Sequence, residues 1–294
     1  MTLAVEANAQ RQGVRQRFPT LRRLLRHRSV VIGLTLFLLV VGMALFAELI
    51  TSGTPNQRTM RSRFMPPGAE FVFGSDNIGR SLYARVVYGA RWSLGIGALV
   101  VLFNAIFGVI LGAAAGYFKH LDNPLMRVSD ALMAFPAILL AMGIAFALGA
   151  STLTAAIALS AVYIPRTARI LRASVLVVRE MEYVQAAKAM GASHARILFK
   201  HVLPNCLAPL IVQLTFVFAY AVLTEAVLSF LGLGASPSTP TWGIIIAEGN
   251  QYLRDAYWIV LFPGLAIALT VLGLNLLGDG LRDVLDPRLK VTQD

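Results

Sequence analysis

Apolar runs of about twenty residues recur along this chain, and the short segments between them hold most of its arginine. A helix of that length crosses the ~30 Å hydrocarbon layer of a bilayer and satisfies its own backbone hydrogen bonds where no water can. The runs cover residues 29–50, 92–118, a stretch ending near Leu148, 152–171, 207–231 and 257–277. They predict an all-α polytopic membrane protein with six transmembrane helices. Only 14% of the residues are charged, against about 25% in soluble domains, which excludes a soluble fold.

Orientation follows from the basic residues. Placing both termini in the cytoplasm puts 19 of the 26 Lys and Arg inside, and the reverse leaves seven there. Cytoplasmic segments of membrane proteins are enriched in both residue types. The same bias accounts for the net charge of +11 without nucleic acid, for which the chain has no recognition motif. The first run is too long for a signal-peptide core and has no small-residue cleavage site behind it, so it reads as an uncleaved span. Residues 51–91 form the longest loop and are expected outside, although they carry six arginines. Within them Leu82, Val86 and Val87 share one helical face, which predicts an amphipathic helix at the membrane surface.

Several features inside this frame are candidates for function. Between the fourth and fifth runs lies a polar, basic interruption from Glu182 to Asn205. It reads as two short helical segments hinged at Gly191, with a helix restarting near Pro204. Gly108, Gly112 and Gly116 recur every fourth residue and make a smooth face on which another helix can pack closely. Arg127 and Asp130 are three apart and expected to pair on one helix face, and Pro136 is expected to kink the third span. Glu225 is a carboxylate inside a span, where charge is costly; it is either a pathway or gate residue, or an outer-interface residue hydrogen-bonded within the bundle. Asn275 is a second polar position of that kind.

Other chemistry is excluded. The chain lacks a glycine-rich phosphate loop. Its four histidines fall in segments expected in the cytoplasm, without metal-ligand spacing, and Cys206 is the single cysteine, so no internal disulfide forms. No nucleophile set lies within the spans. An ion-coupled secondary transporter would want paired intramembrane carboxylates and an inverted repeat, and Glu225 stands alone.

The interruption can be placed in a family by its motif. Gln185-Ala186-Ala187, followed by Gly191 and then Leu203-Pro204, resembles the EAA loop of ABC-transporter permease subunits of the importer type, with Gln185 where Glu is usual. Phe73-Gly-Ser-Asp-Asn-Ile-Gly-Arg80, Tyr88-Gly-Ala-Arg91, Leu228-Ser-Phe-Leu-Gly-Leu-Gly234, Pro240-Thr-Trp-Gly243, Phe262-Pro-Gly-Leu-Ala266 and the run from Leu277 to Pro287 resemble the dipeptide, oligopeptide and nickel subfamily. Ser81 stands where Asp often follows Gly-Arg. The resemblance implies a type I importer transmembrane fold and three regions. Residues 1–91 would be the N-terminal segment, first span and outer loop; 92–280 the transmembrane core, with its coupling loop at 180–205; and 281–294 a cytoplasmic tail.

It also implies a non-catalytic subunit that works with a second permease chain, two ATP-binding subunits and an extracytoplasmic substrate-binding protein. ATP and Mg would sit on the partner ATPases, and no cofactor on this chain. Gln185, Ala186, Ala187, Lys188, Gly191, Leu203 and Pro204 would form the ATPase-coupling loop, with Lys188 and its basic neighbours facing acids of that partner or lipid phosphates. Peptides are the implied cargo; nickel, glutathione and other small solutes use similar permeases.

Overall fold

The computed structural model describes residues 23–51, 53–236 and 238–285. The arginines before residue 23 and the tail from 286 lie outside the described residues. What is described is helical, with one isolated β-bridge between Ser75 and Ser81. Helix α1 (Arg28–Leu45) is followed by a loop to Ser81, then α2 (Leu82–Phe103), which runs through a π-turn (Asn104–Gly108) into α3 (Val109–Tyr117). Next come α4 (Lys119–Met133), α5 (Ala137–Leu148), α6 (Thr152–Val178), α7 (Glu182–Ala189), α8 (Leu207–Phe230), α9 (Trp242–Asn250) and α10 (Trp258–Leu285).

Four stretches are long and apolar enough to cross a membrane: Arg28–Leu45, Leu82–Tyr117, His194–Phe230 and Trp258–Leu285. The bent pair α4 and α5 makes a fifth if counted as one span. Helix α6, which covers the fourth expected run, is long enough at 27 residues, or ~40 Å. Arg166, Arg169 and Arg172 in its second half dilute its apolar character.

Local chemistry sets the helix ends. Ser81 caps α2, its hydroxyl accepting from the Ala84 N–H at 3.4 Å. Serine thus supplies the cap that aspartate would give at this position. Gly149 has φ +84, and Ser151 and Thr154 form a reciprocal capping box that starts α6 immediately after it.

Three sequence expectations are corrected. Residues 82–91 do not form a surface helix: they are the first turns of α2, and Leu82, Arg85, Val86, Val87 and Ala90 are all buried. Gly89 and Ala90 keep the face they share with Leu82 and Val86 low enough for close approach. Trp242 lies over it and donates its indole N–H to the Val86 carbonyl at 2.9 Å. Second, Pro136 does more than kink the third run. It has no N–H and disfavours helical geometry at Phe135, so α4 and α5 separate there and meet at 92°. Asp130 consequently pairs with Arg169 of α6 at 2.5 Å, not with Arg127. Third, no helix restarts at Pro204. A π-turn (Ile197–Val202) and a 3-10 turn (Leu203–Cys206) absorb the proline, and the rod is continuous from His194 to Phe230.

Helices α3 and α6 pack with their backbones in close approach. A Cβ on Gly108 would come within 2.7 Å of Thr167 Cγ2, one on Gly112 within 2.6 Å of the Ala168 carbonyl, and one on Gly116 within 2.7 Å of Val175 Cβ. The π-turn above this seam is held by Asn104, which donates to the Val100 carbonyl (2.9 Å) and accepts from Thr167 Oγ1 (3.1 Å). Because Gly112 abuts backbone, Gly112→Val should separate the helices and destabilise the protein by ~2 kcal/mol or more. Gly143→Ala, with nothing within 4 Å of the new methyl, should be silent. Thermal unfolding of the two detergent-solubilised variants checks the contrast.

Candidate functional site

The polar interruption folds as a helix clipped against the ends of the long rods. Its first turn carries Glu182 and its last Lys188, each at the helix end its charge favours. The chain leaves α7 through a Schellman motif. The Gly191 N–H bonds the Lys188 carbonyl at 3.0 Å and the Ala192 N–H bonds the Ala187 carbonyl at 3.1 Å. Gly191 has φ +80 with open space where a Cβ would be. Backbone conformation alone, and not crowding, therefore calls for glycine there. Ser193 then caps the next helical turn by accepting from the Arg196 N–H at 3.4 Å.

The helix has two faces. Val184 and Ala187 are buried and join Ala113, Leu171, Val175, Val178, Ile197, Val202 and Cys206 in one apolar cluster. Gln185, Ala186, Lys188 and Ala189 are exposed, as are Met190 and Phe199. Of the residues read as coupling positions, Ala187 therefore faces the protein's own helices, Leu203 is half-buried against the same cluster, and Pro204 is exposed. Further ties fix α7 in place. The Gln185 amide donates to the Arg179 carbonyl (3.0 Å), and Arg179 donates to the Gly116 carbonyl (2.7 Å). Desolvation holds the Tyr183 phenol above its ordinary range; it stays neutral, and its hydroxyl donates to the His201 carbonyl (3.5 Å). His194 is bonded to Tyr117 Oη at 3.0 Å.

Glu225 lies at the far end of α8 and is fully buried. Ser93 donates to Oε2 at 3.2 Å and Ser229 to Oε1 at 2.6 Å. Ser93 in turn accepts from the Trp242 N–H at 3.2 Å. The carboxylate thus ties α2, α8 and the start of α9 together. Asn275 of α10 is half-buried, and no hydrogen bond joins it to Glu225.

An ionic cluster near this end was not legible in the sequence. Asp76 Oδ2 accepts from Arg80 (2.5 Å) and Arg85 (3.0 Å), and both arginines also reach Glu248 Oε2, at 2.5 and 2.6 Å. Asp76 and Arg85 are each 1% exposed. Two cations and two anions neutralise one another and pin the loop before α2 to α9. The Asp76 and Arg80 spacing and an arginine among the small residues of α2 are visible signals. Glu248, 163 residues from Arg85, is not.

The arrangement has a helix with one exposed face at one end and a buried, cross-linked set of polar contacts at the other, with helices connecting them. Residues 104–291 match the family described as the binding-protein-dependent transport system inner membrane component, and residues 19–67 the N-terminal TM domain of oligopeptide transport permease C. The chain is 59% identical to a putative peptide transport system permease protein of Brucella abortus, over 92% of each chain. It is 45% identical to a dipeptide transport system permease protein of Escherichia coli K12, over 90% of this chain and 91% of that one. A dipeptide transport system permease protein of Alkalihalophilus pseudofirmus is 44% identical, over 92% and 89%.

Removing one member of the ionic cluster should be costly. Arg85→Met leaves Asp76 buried with one partner fewer and should destabilise the protein by ~3 kcal/mol. The double variant Arg85→Met with Glu248→Gln should recover part of that loss. Thermal midpoints of the purified proteins report both.

Proposed function

Because the chain belongs to the family of binding-protein-dependent transport system inner membrane components, we propose that it is a permease subunit of an ATP-driven importer, forming half of a path for peptides across the bacterial inner membrane. The observation that carries this reading is the construction of α7. One face is exposed, with small side chains and a lysine, and the other is keyed by Val184 and Ala187 into the cluster shared by α3, α6 and the rod leading to α8. A push on the exposed face is therefore a push on the transmembrane helices. The relatives' names, as transport permeases for peptides and dipeptides, support the cargo.

In this reading six helical segments cross the membrane: α1, the rod α2 to α3, the bent pair α4 and α5, α6, the rod ending in α8, and α10. Both termini and α7 lie in the cytoplasm, where the excess of arginine and lysine falls. The path is completed by a second permease chain. Two ATPase subunits bind ATP and Mg, and one of them takes α7 in a surface groove. An extracytoplasmic binding protein delivers the peptide to the cap formed by the loop before α2 and by α9. This chain has a mechanical and not a catalytic part.

The mechanism needs interfaces with two discrete arrangements. ATP-driven approach of the ATPases moves α7, the cluster passes the movement to α6 and α8, and the cap opens or closes around Glu225 and the ionic cluster. Co-purification of the tagged chain from its native membrane should bring down ATPase subunits, and dipeptide uptake should stop on ATP depletion while the ion gradient is held. Uptake that persists without ATP would reject the importer reading. Gly191→Pro cannot adopt φ +80; it should abolish uptake with the chain still inserted, as measured by membrane yield and transport side by side.

A further inference from the structure

A cavity of about 720 Å³ opens between α6, α8 and the end of α10, a size that suits a small ligand. Its wall is mostly apolar, with Ala173 of α6 and Phe216 of α8 in it, and it also holds Asn205, Gln213 and Arg282. Phe216 abuts Gly278 of α10, where a Cβ would come within 3.1 Å of the ring. That contact bounds the cavity on the side away from Asn205. Toward the other side, Val178 belongs both to the wall and to the apolar cluster that seats α7. The cavity therefore begins at the α7 end of the bundle and is stopped by Phe216.

Gln213 has the least ordinary position in this wall. It is 7% exposed, and its side-chain amide makes no hydrogen bond among the described residues. Its polar neighbours in the wall are placed differently. Asn205 donates to the His201 carbonyl at 2.7 Å, and Ser174 donates to the Ile170 carbonyl at 3.1 Å. Arg282 is exposed, with no acidic partner among the described residues. A buried amide is costly unless water or a bound group supplies its partners. A ligand that displaces the water must bring the same donor and acceptor, or it binds poorly.

That requirement selects a chemistry. A carboxamide has an acceptor oxygen beside a donor nitrogen. In an extended peptide the N–H and C=O of one residue point to the same side, which is how facing strands exchange two bonds. The carboxamide matches that pair whatever side chains the peptide carries, and the apolar walls accept side chains of varied shape. Arg282 suits any anion, a lipid phosphate included. The ester carbonyls of a phospholipid accept hydrogen bonds but do not donate them, so the Gln213 oxygen separates the two ligands.

We propose that Gln213 pairs with the backbone of the peptide as cargo crosses this cavity. One N–H of the cargo donates to Oε1, and the carbonyl or carboxylate of the same residue accepts from Nε2. The inference rests on the peptide-importer reading and names the contact by which that path would recognise peptides without reading their sequence. Because Val178 is common to the cavity and to the seat of α7, movement of α7 would also reshape the site that holds the cargo.

The test uses the complete transporter, this chain with its partner permease, ATPases and binding protein, in proteoliposomes. The probes are labelled alanyl-alanine and labelled alanyl-lactate, in which an ester replaces the peptide bond and removes its N–H. Gln213→Met keeps the length of the side chain and removes both polar groups. It is expected to lower uptake of alanyl-alanine about tenfold, the equivalent of two modest hydrogen bonds. Uptake of alanyl-lactate should fall by about twofold or less, since one of those bonds is already missing. The preference of the binding protein between the probes cancels in the ratio. Equal loss of both probes marks a packing role and overturns the proposal, as does alanyl-alanine uptake within about twofold of wild type.

A second measurement leaves Gln213 in place and decides alone if the Gln213→Met complex does not assemble. Ala173→Cys puts a thiol in the cavity wall, and saturating alanyl-alanine is expected to slow its modification by a methanethiosulfonate reagent about threefold or more, read by mass on this chain. Cys206, the chain's own thiol, is buried. An unchanged rate overturns the proposal, and slowing by added phosphatidylglycerol but not by alanyl-alanine assigns the cavity to lipid and overturns it as well. Absence of alanyl-alanine uptake by the wild-type transporter would instead sink the peptide reading itself, and this inference with it.

Discussion

With no Cβ at Gly108, Gly112 or Gly116, the backbone of α3 lies directly on Thr167, Ala168 and Val175 of α6, and the other contacts of that end build on this approach. It brings Asn104 within reach of Thr167. It leaves the Gly116 carbonyl open to Arg179, whose own carbonyl then holds Gln185. It also closes the pocket that Ala113, Leu171 and Val175 offer to Val184 and Ala187 of α7. In a bilayer, where lipid tails are as apolar as leucine, such close packing replaces the hydrophobic drive that joins helices in water. A bulkier stripe on α3 would move α6, and α7 would lose its seat.

Electrostatics divides the molecule in a complementary way. Near the start of α2 the charges are buried and balanced, two arginines against Asp76 and Glu248, and they join loop to helix. Along α6 they are more open, and each pair joins α6 to α4. Buried balanced clusters gain little net stability against an apolar alternative but punish any rearrangement that separates them. That makes them suited to keeping the loop before α2 in one register against α9. The pairs on α6 are less constrained.

Much of this was readable from residue order. Apolar length located the long helices, the small-residue spacing located the seam, and the Gly191 and Ala-rich segment located α7 with its turn. Failures arose where the answer depended on what lies across from a residue. Leu82, Val86 and Val87 make an amphipathic pattern that suits a membrane surface equally well as a packed core, and only Trp242 and Glu248, distant in sequence, decide between them. Pro136 and Pro204 carry the same local signal, yet one breaks a helix at right angles while the other is absorbed in a rod, because the preceding π-turn supplies the needed slack. Ala187 was readable as helical but not as inward-facing, since alanine suits either side. Asp130 had a neighbour at helical spacing and still chose a partner on another helix.

The rod from His194 to Phe230 has a consequence of its own. It is 37 residues long, or ~55 Å, and it begins beside α7 and ends beyond Glu225. A stiff lever of that length converts angle into distance: a tilt of ~5° about one end sweeps the other through ~5 Å, about one helical turn. Under the proposed coupling the stroke required at α7 would be small, and the amplification would reside in the length of one helix more than in any deformation of it. The π-turn and 3-10 turn sit near the α7 end, where a slight change in winding costs the lever little of its reach.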